Sequence, residues 1–329
     1  MSKSQRDERT PFRNQYAKSS LQSTKAPDYL LIGHITADLE DDGTVNLGGT
    51  VLYSGLAAAN MGARVAILTR GKFGGEIKGM QVPGLEQYAD KLQIIVQDAD
   101  VPTTFTNHYI GTRRTQQIKH WAGPIDMRGM PTHWGNAKIV HLGPVADEID
   151  PRRITGLTTN FLGATPQGWM RQWPKESGGT VKLVPLRLPV DLVNRIDSAI
   201  VSDEEIFQAR EFIERVGERR MSVITRGPEG ATIYHRKPNA DELAPGQKAY
   251  QAVDIPGVPV KIKSLTGAGD VFAAAFFMKA AERDSSALEA GMYANVVAAL
   301  SLREVGAGVV PSQAEVNEVL AQISTRNRR

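Results

Sequence analysis

The chain has 329 residues, no cysteine, and 39 Lys and Arg against 36 Asp and Glu, a formal net charge of +3. That length can bury a large core, and the missing cysteines exclude a disulfide framework, a thiolate zinc site and a cysteine nucleophile. The basic excess sits at the ends, with residues 1–27 at +4, residues 326–329 at +3 and the body 28–325 at −4, which argues against nucleic-acid binding as the main function.

Residues 1–27 are polar, with no apolar run, and read as a disordered basic leader. Asp7 and Glu8 count against a targeting peptide. The body then alternates strands and helices. Tyr29–Ile35 reads as a buried strand, Thr50–Met61 as an Ala- and Leu-rich helix stopped by Gly62, and Arg64–Thr69 as the next strand. Strands are expected at Ile94–Val96, Thr103–Ile110 and Thr115–Trp121, the last two flanking a turn at Gly111–Arg114. Further short strands are expected at Lys138–Leu142, Val181–Pro185, Ala199–Val201 and Ser222–Thr225, with a helix over Glu204–Val216. Val271–Ala281 is apolar nearly all round and reads as a buried helix, followed by Leu288–Leu302 and an amphipathic Ser312–Ile323. The alternation predicts a largely parallel sheet with helices on both faces. The adjacent β runs at 101–123 break it and predict a small antiparallel excursion. No stretch approaches the ~20 apolar residues of a membrane span, and the protein is expected to be cytoplasmic.

The segment that carries chemistry is Thr266-Gly267-Ala268-Gly269-Asp270, directly before the apolar helix. Small residues there let amide N–H groups converge at a helix N-terminus, which carries partial positive charge and unsatisfied donors. Asp270 then stands in the first turn, beside the place for an anion. A carboxylate so placed can take a proton from a hydroxyl while the amides hold a migrating phosphoryl group. Taken alone, the same residues could be no more than an ordinary helix entrance.

These residues resemble the C-terminal signature of the ribokinase-like (PfkB) carbohydrate kinases, close to D-T-x-G-A-G-D, with Ser264 and Leu265 departing from it. Other stretches resemble the family's motifs in the same order. They are Gly33 to Asp38 at the end of the first strand, Gly48-Gly49 opening a helix that ends at Met61-Gly62, Ser202 to Glu205 in place of N-x-x-E, and Thr225 to Gly230 in place of T-x-G-x-x-G. Gln167 to Arg171 followed by Gly179 to Val184 resembles a branch that includes inositol kinases. There is no P-loop, no G-x-G-x-x-G after the first strand, and no H-E-x-x-H or G-x-S-x-G.

The resemblance implies a three-layer α/β/α sandwich over 28–325 with a mainly parallel sheet and a small antiparallel β lid around 101–123, which could also serve a homodimer contact. It implies an ATP- and Mg²⁺-dependent kinase acting on a hydroxyl of a sugar or polyol, inositol among them. Asp270 would be the general base, and Gly267, Ala268 and Gly269 the anion hole. Asp38 would grip acceptor hydroxyls, with Gly48 and Gly49 allowing close approach. Thr225, Gly227, Thr266 and Asn295 would serve the nucleotide, Gly306 would flank adenine, and Glu205 would order water around Mg²⁺. Tyr53 stands where relatives often have Asn, which removes a sugar contact. Ser264 offers no carboxylate where the family's cation loop often has one, which argues against activation by K⁺. A nucleoside kinase, or a catalytically silent binding protein of the same fold, is the alternative.

Overall fold

The computed structural model describes residues 12–16, 25–110, 113–244, 246–263, 266–303 and 311–326. In chain order the elements begin with β1 (Phe12–Tyr16), β2 (Tyr29–Ile32), β3 (Thr36–Leu39), β4 (Val45–Gly48), α1 (Thr50–Asn60) and β5 (Val65–Gly71). A small hairpin, β6 (Gly75–Ile77) and β7 (Met80–Val82), precedes β8 (Leu92–Asp98), β9 (Thr103–Ile110) and β10 (Arg113–His120). Next come β11 (Ile139–Leu142), β12 (Phe161–Ala164) and the short β13 (Arg171–Gln172), β14 (Gly179–Thr180) and β15 (Lys182–Leu183). The C-terminal part has α2 (Val190–Arg195), β16 (Ser198–Ser202), α3 (Ile206–Arg219), β17 (Met221–Thr225), β18 (Gly230–Arg236), β19 (Tyr250–Pro256), α4 (Ala268–Ala280), α5 (Ala287–Ser301) and α6 (Gln313–Arg326).

The main sheet has the order β1-β8-β5-β2-β11-β12-β16-β17-β18-β19. From β8 to β17 every neighbouring pair is parallel. β1, β18 and β19 add antiparallel edges. The central strands are buried on both faces, as βαβ crossovers require. In β2, Tyr29 and Leu31 enter the core under α1, α4 and α5, while Leu30 and Ile32 enter the core under α3. This two-residue alternation divides one short apolar run between two helical layers. The three-layer sandwich is therefore present.

Several local expectations need correction. Phe12–Tyr16 lies inside the stretch read as disordered, yet it pairs antiparallel with β8. β12 was not foreseen: it is a buried central strand of four residues, too short to show a period. Its Gly163 passes so close to the Phe277 ring that an added Cβ would sit 2.6 Å from it. β18 and β19 were also missed as strands. Val181–Pro185 is no core strand: Lys182 and Leu183 form only an exposed pairing with β13. The lid is larger than 101–123, because β9 and β10 join β3, β4 and β14 in a five-stranded sheet ordered β14-β10-β9-β3-β4. β3 pairs in parallel with β9, so the first crossover out of the main sheet also builds the lid.

Candidate active site

The C-terminal ends of β2, β11, β12, β16 and β17 open on one side of the sheet, where open α/β sheets place their ligands. At that edge α4 starts. Gly267 is its N-cap, with φ +81° in the left-handed region. An added Cβ there would also meet the Tyr53 ring at 2.5 Å. The Val271 amide already donates to the Gly267 carbonyl at 2.9 Å. The amides of Ala268, Gly269 and Asp270 precede any available helical acceptor, so they are the donors of the helix start. At Gly269 an added Cβ would meet nothing within 4 Å. Its lack of a side chain serves the open space beside it, not the packing.

Two cavities meet at this helix start. The first, about 650 Å³, runs between the lid and the sheet edge. Asp38, Gly49, Thr266, Gly267 and Asp270 are on its wall. The second, about 420 Å³ and largely apolar, runs from the other side toward α5, and its wall includes Thr225, Gly227 and Asn295. Ala268 and Gly269 line both.

Asp270 is held by α1. Ser54 Oγ donates to the Asp270 carbonyl at 2.8 Å, and the Thr50 hydroxyl donates to its carboxylate. Burial dominates its electrostatics and pushes its pKa from 3.8 up to about 6, with Glu205 and Asp38 adding to the rise and Thr50 and Arg171 opposing it. Removal from water disfavours the carboxylate form, which makes Asp270 a stronger proton acceptor near neutral pH. Tyr53, between Gly267 and the acidic wall, is pushed up to about 12 by burial and by the charges of Asp38 and Asp270.

Asp38 stands on β3, with Thr36 Oγ1 donating to its Oδ1 at 3.1 Å. Gly48 on β4 pairs with Thr36, two residues before Asp38, and an added Cβ there would collide with the Asp38 carboxylate. Gly48 thus makes room for Asp38 and does not itself line the cavity. Gly49 has φ +92°, and its position would put a Cβ 2.5 Å from the His34 carbonyl oxygen. Thr266, expected on the nucleotide side, lies on the wall of the lid-side cavity. Glu205 lines neither cavity. It is buried, accepts from the Ser202 amide at 3.0 Å and from Gln167 Nε2 at 2.8 Å, and acts on Asp270 through its charge. The family's Asn-to-Ser change at 202 therefore does not release Glu205, because a backbone amide does the holding. Ser264, Leu265 and Gly306 lie outside the described residues.

Sequence reasoning assigned no role to Phe105, Gln116, Gln167 or Arg171 in this cavity, or to Thr50 beside Asp270. Arg171 Nη1 donates to the Val145 carbonyl at 2.8 Å, and its guanidinium lies 5.3 Å from the Phe105 ring centroid. The motif signal at Gln167 to Arg171 marked the segment but not its direction. Only folding brings β9, β10 and this loop onto one wall.

Sheet order, the five-stranded sheet and the helix start give the chain a ribokinase-like fold. Residues 192–314 match the family model described as pfkB family carbohydrate kinase. No curated protein matches the chain significantly. Among solved structures, a pyrophosphate-dependent kinase in the ribokinase family, complexed with a pyrophosphate analogue and myo-inositol, is 17% identical, with 88% of this chain and 99% of that chain covered and a TM-score of 0.63. Arabidopsis thaliana ribokinase, complexed with ribose and ATP, is 16% identical over 90% of this chain and 99% of its own, with a TM-score of 0.59. A Methanocaldococcus jannaschii nucleoside kinase is 16% identical over 91% of this chain and 99% of its own, also at 0.59. At these identities the structural likeness shows the fold. The family match is confined to residues 192–314, a stretch that holds the start of α4, and the rest of the likeness is one of fold.

Proposed function

We propose that this protein transfers the γ-phosphoryl group of ATP to a hydroxyl of a sugar or polyol, with inositols as the first acceptors to test. The observation that carries this reading is the meeting of two cavities at Ala268 and Gly269, with Asp270 on the wall of the first. A donor in the apolar cavity would present its terminal phosphate to the amides of Ala268, Gly269 and Asp270. An acceptor in the lid-side cavity would be held through its hydroxyls by Asp38. Its reacting hydroxyl would give its proton to the Asp270 carboxylate as its oxygen bonds to the γ-phosphorus. The bond from phosphorus to the bridging oxygen would break, and ADP would leave. The lid would keep water from the phosphoryl group and so limit hydrolysis.

Among the described residues, no group of three or more His, Asp or Glu is assembled to hold a metal. Mg²⁺ in such a reaction would be carried mainly by nucleotide phosphates and water, with few protein carboxylates. Glu205, buried and lining neither cavity, would act on such an ion through its charge, as it acts on Asp270. The ion would supply charge neutralisation of the phosphates.

Nucleoside acceptors form the second reading, favoured by the aromatic residues Phe105 and Tyr53 on the cavity wall. The test is ADP release across a panel of sugars, inositols and nucleosides, with Asp270→Asn as control. Turnover dependent on an inositol or sugar supports the first reading, and turnover confined to nucleosides replaces it with the second. Turnover that persists in Asp270→Asn sinks the assigned base.

A further inference from the structure

After β11 the chain turns over residues 145–148 and folds back onto its own carboxylate, that of Glu148. This residue is fully buried, at 0% exposed. Its Oε1 accepts from the His34 amide at 2.8 Å and the Val145 amide at 2.9 Å. Its Oε2 accepts from the Ala146 amide at 2.6 Å and from the same Val145 amide at 3.1 Å. A carboxylate taken out of water needs such donors in place of its lost hydration. The turn also holds Asp147 at φ +52°, in the left-handed region that residues other than glycine seldom adopt. Backbone held there persists only where its surroundings fix it.

The other side of this turn faces the lid-side cavity, and one peptide group makes the link. It joins Val145 to Ala146 and is trans, so its N–H and C=O point in opposite directions. The N–H, on Ala146, donates to Glu148, while the C=O, on Val145, accepts from Arg171 Nη1 at 2.8 Å. Val145 and Arg171 both line the cavity, and Glu148 lines neither cavity. Hydrogen bonds in such a chain polarise one another. The His34 amide, two residues before β3, ties the strand that carries Asp38 to the same carboxylate.

Resting on the kinase reading above, we infer that Glu148 is a positioning residue for the acceptor: through the peptide joining Val145 and Ala146 it holds the Arg171 guanidinium at the lid-side cavity. A residue that only closed a turn would act on stability alone. One that holds Arg171 acts on acceptor binding and on Asp270. The groups facing Asp270 are Asp38 from β3, Thr50 and Tyr53 from α1, Glu205 at the start of α3, and Arg171 from β13. Of these only Arg171 is a cation, and its charge opposes the rise in the Asp270 pKa.

The experiment measures kcat/KM for the acceptor, KM for ATP and the pH–rate profile in wild type, Glu148→Gln, Arg171→Met and the double variant, with an acceptor that supports turnover. In Glu148→Gln one oxygen becomes an NH₂ group facing amide donors, so the turn loses an acceptor. Its kcat/KM for the acceptor is expected to fall about tenfold, the worth of one hydrogen bond to a charged group, with KM for ATP unchanged. The acid-side midpoint is expected to rise as the Arg171 charge moves away from Asp270. Arg171→Met is expected to show both effects, and adding Glu148→Gln to it to change little more, since residues acting through one another are not additive. Glu148→Asp keeps both oxygens but draws them back by one methylene, and gives the same readings if Glu148→Gln does not fold. Lost stability with an unchanged acceptor kcat/KM and an unmoved midpoint, or full additivity in the double variant, overturns the inference and leaves the kinase reading standing. No turnover by the wild-type protein on any acceptor overturns both.

Discussion

Asp270 is where chemistry and stability conflict. Its pKa near 6 lies above the unfolded value of 3.8, so the folded state holds the proton longer than the unfolded chain. Its effect on stability is absent below pH 3.8, grows unfavourable as pH rises toward 6, and stays constant above that. The shift is equivalent to a loss of up to about 3 kcal/mol at neutral pH. Asp270→Asn is therefore expected to lower kcat by about 10²–10⁴-fold, the usual worth of a general base, while raising the unfolding midpoint in denaturant. Equal or lower stability in the variant would show that burial does not strain the carboxylate. The same pKa predicts that kcat/KM falls on the acid side with an apparent midpoint near 6, read from a pH–rate profile. His141 behaves oppositely: burial lowers its pKa to about 3, so it resists protonation in the folded state. Its contribution is present above pH 6.5 and is lost as pH falls toward 3. Asp38→Asn is expected to raise the acceptor KM far more than it lowers kcat, since under the proposed function Asp38, on the wall of the lid-side cavity, would bind the acceptor and not take its proton.

At the scale of elements, two glycines at the start of α4 separate folding from function. Gly267 has φ +81° and the Tyr53 ring against it. Gly267→Ala is expected to cost at least 1 kcal/mol of stability, from the left-handed backbone and the ring clash together, as read by denaturant unfolding. At Gly269 nothing lies within 4 Å of an added Cβ. Gly269→Ala is expected to fold as well as the wild type or better, by up to about 1 kcal/mol from helix propensity, yet to lose turnover as its methyl intrudes on the phosphate. Loss of stability in Gly269→Ala with full activity would overturn this division. α5 shows a second, purely structural start: Ser286 and Glu289 cap each other's backbone amides. Ser286→Ala is expected to cost about 1 kcal/mol of stability with turnover unchanged, measured by unfolding and ADP release.

Much at this scale was legible. Glycine next to a long apolar run announces a helix start, and α1, α3, α4 and α5 fall within a few residues of their expected bounds. The strands that escaped notice did so for local reasons. β12 is four residues with Gly163 inside it, and β19 is largely exposed, so neither shows an uninterrupted apolar signal.

On the scale of the whole molecule, the site exists because distant segments converge. β3 is part of the lid yet carries Asp38 to the cavity, and β16 and β17 bring Glu205 and Thr225 to the same sheet edge. Of the basic N-terminal stretch, Phe12–Tyr16 pairs with β8 at the sheet edge. Among the described residues no helix is long and apolar enough to cross a membrane.

The sequence by itself determined the layered α/β class and the glycine-led start of α4 with Asp270 in its first turn. These depend on local composition: small residues before an apolar helix, and strands alternating with helices. Only the tertiary structure decided which groups share a cavity. It set Thr266 on the lid side and made Gly48 a support for Asp38. It also raised the Asp270 pKa, because desolvation is a property of the packing around a carboxylate, which no stretch of neighbouring residues can supply.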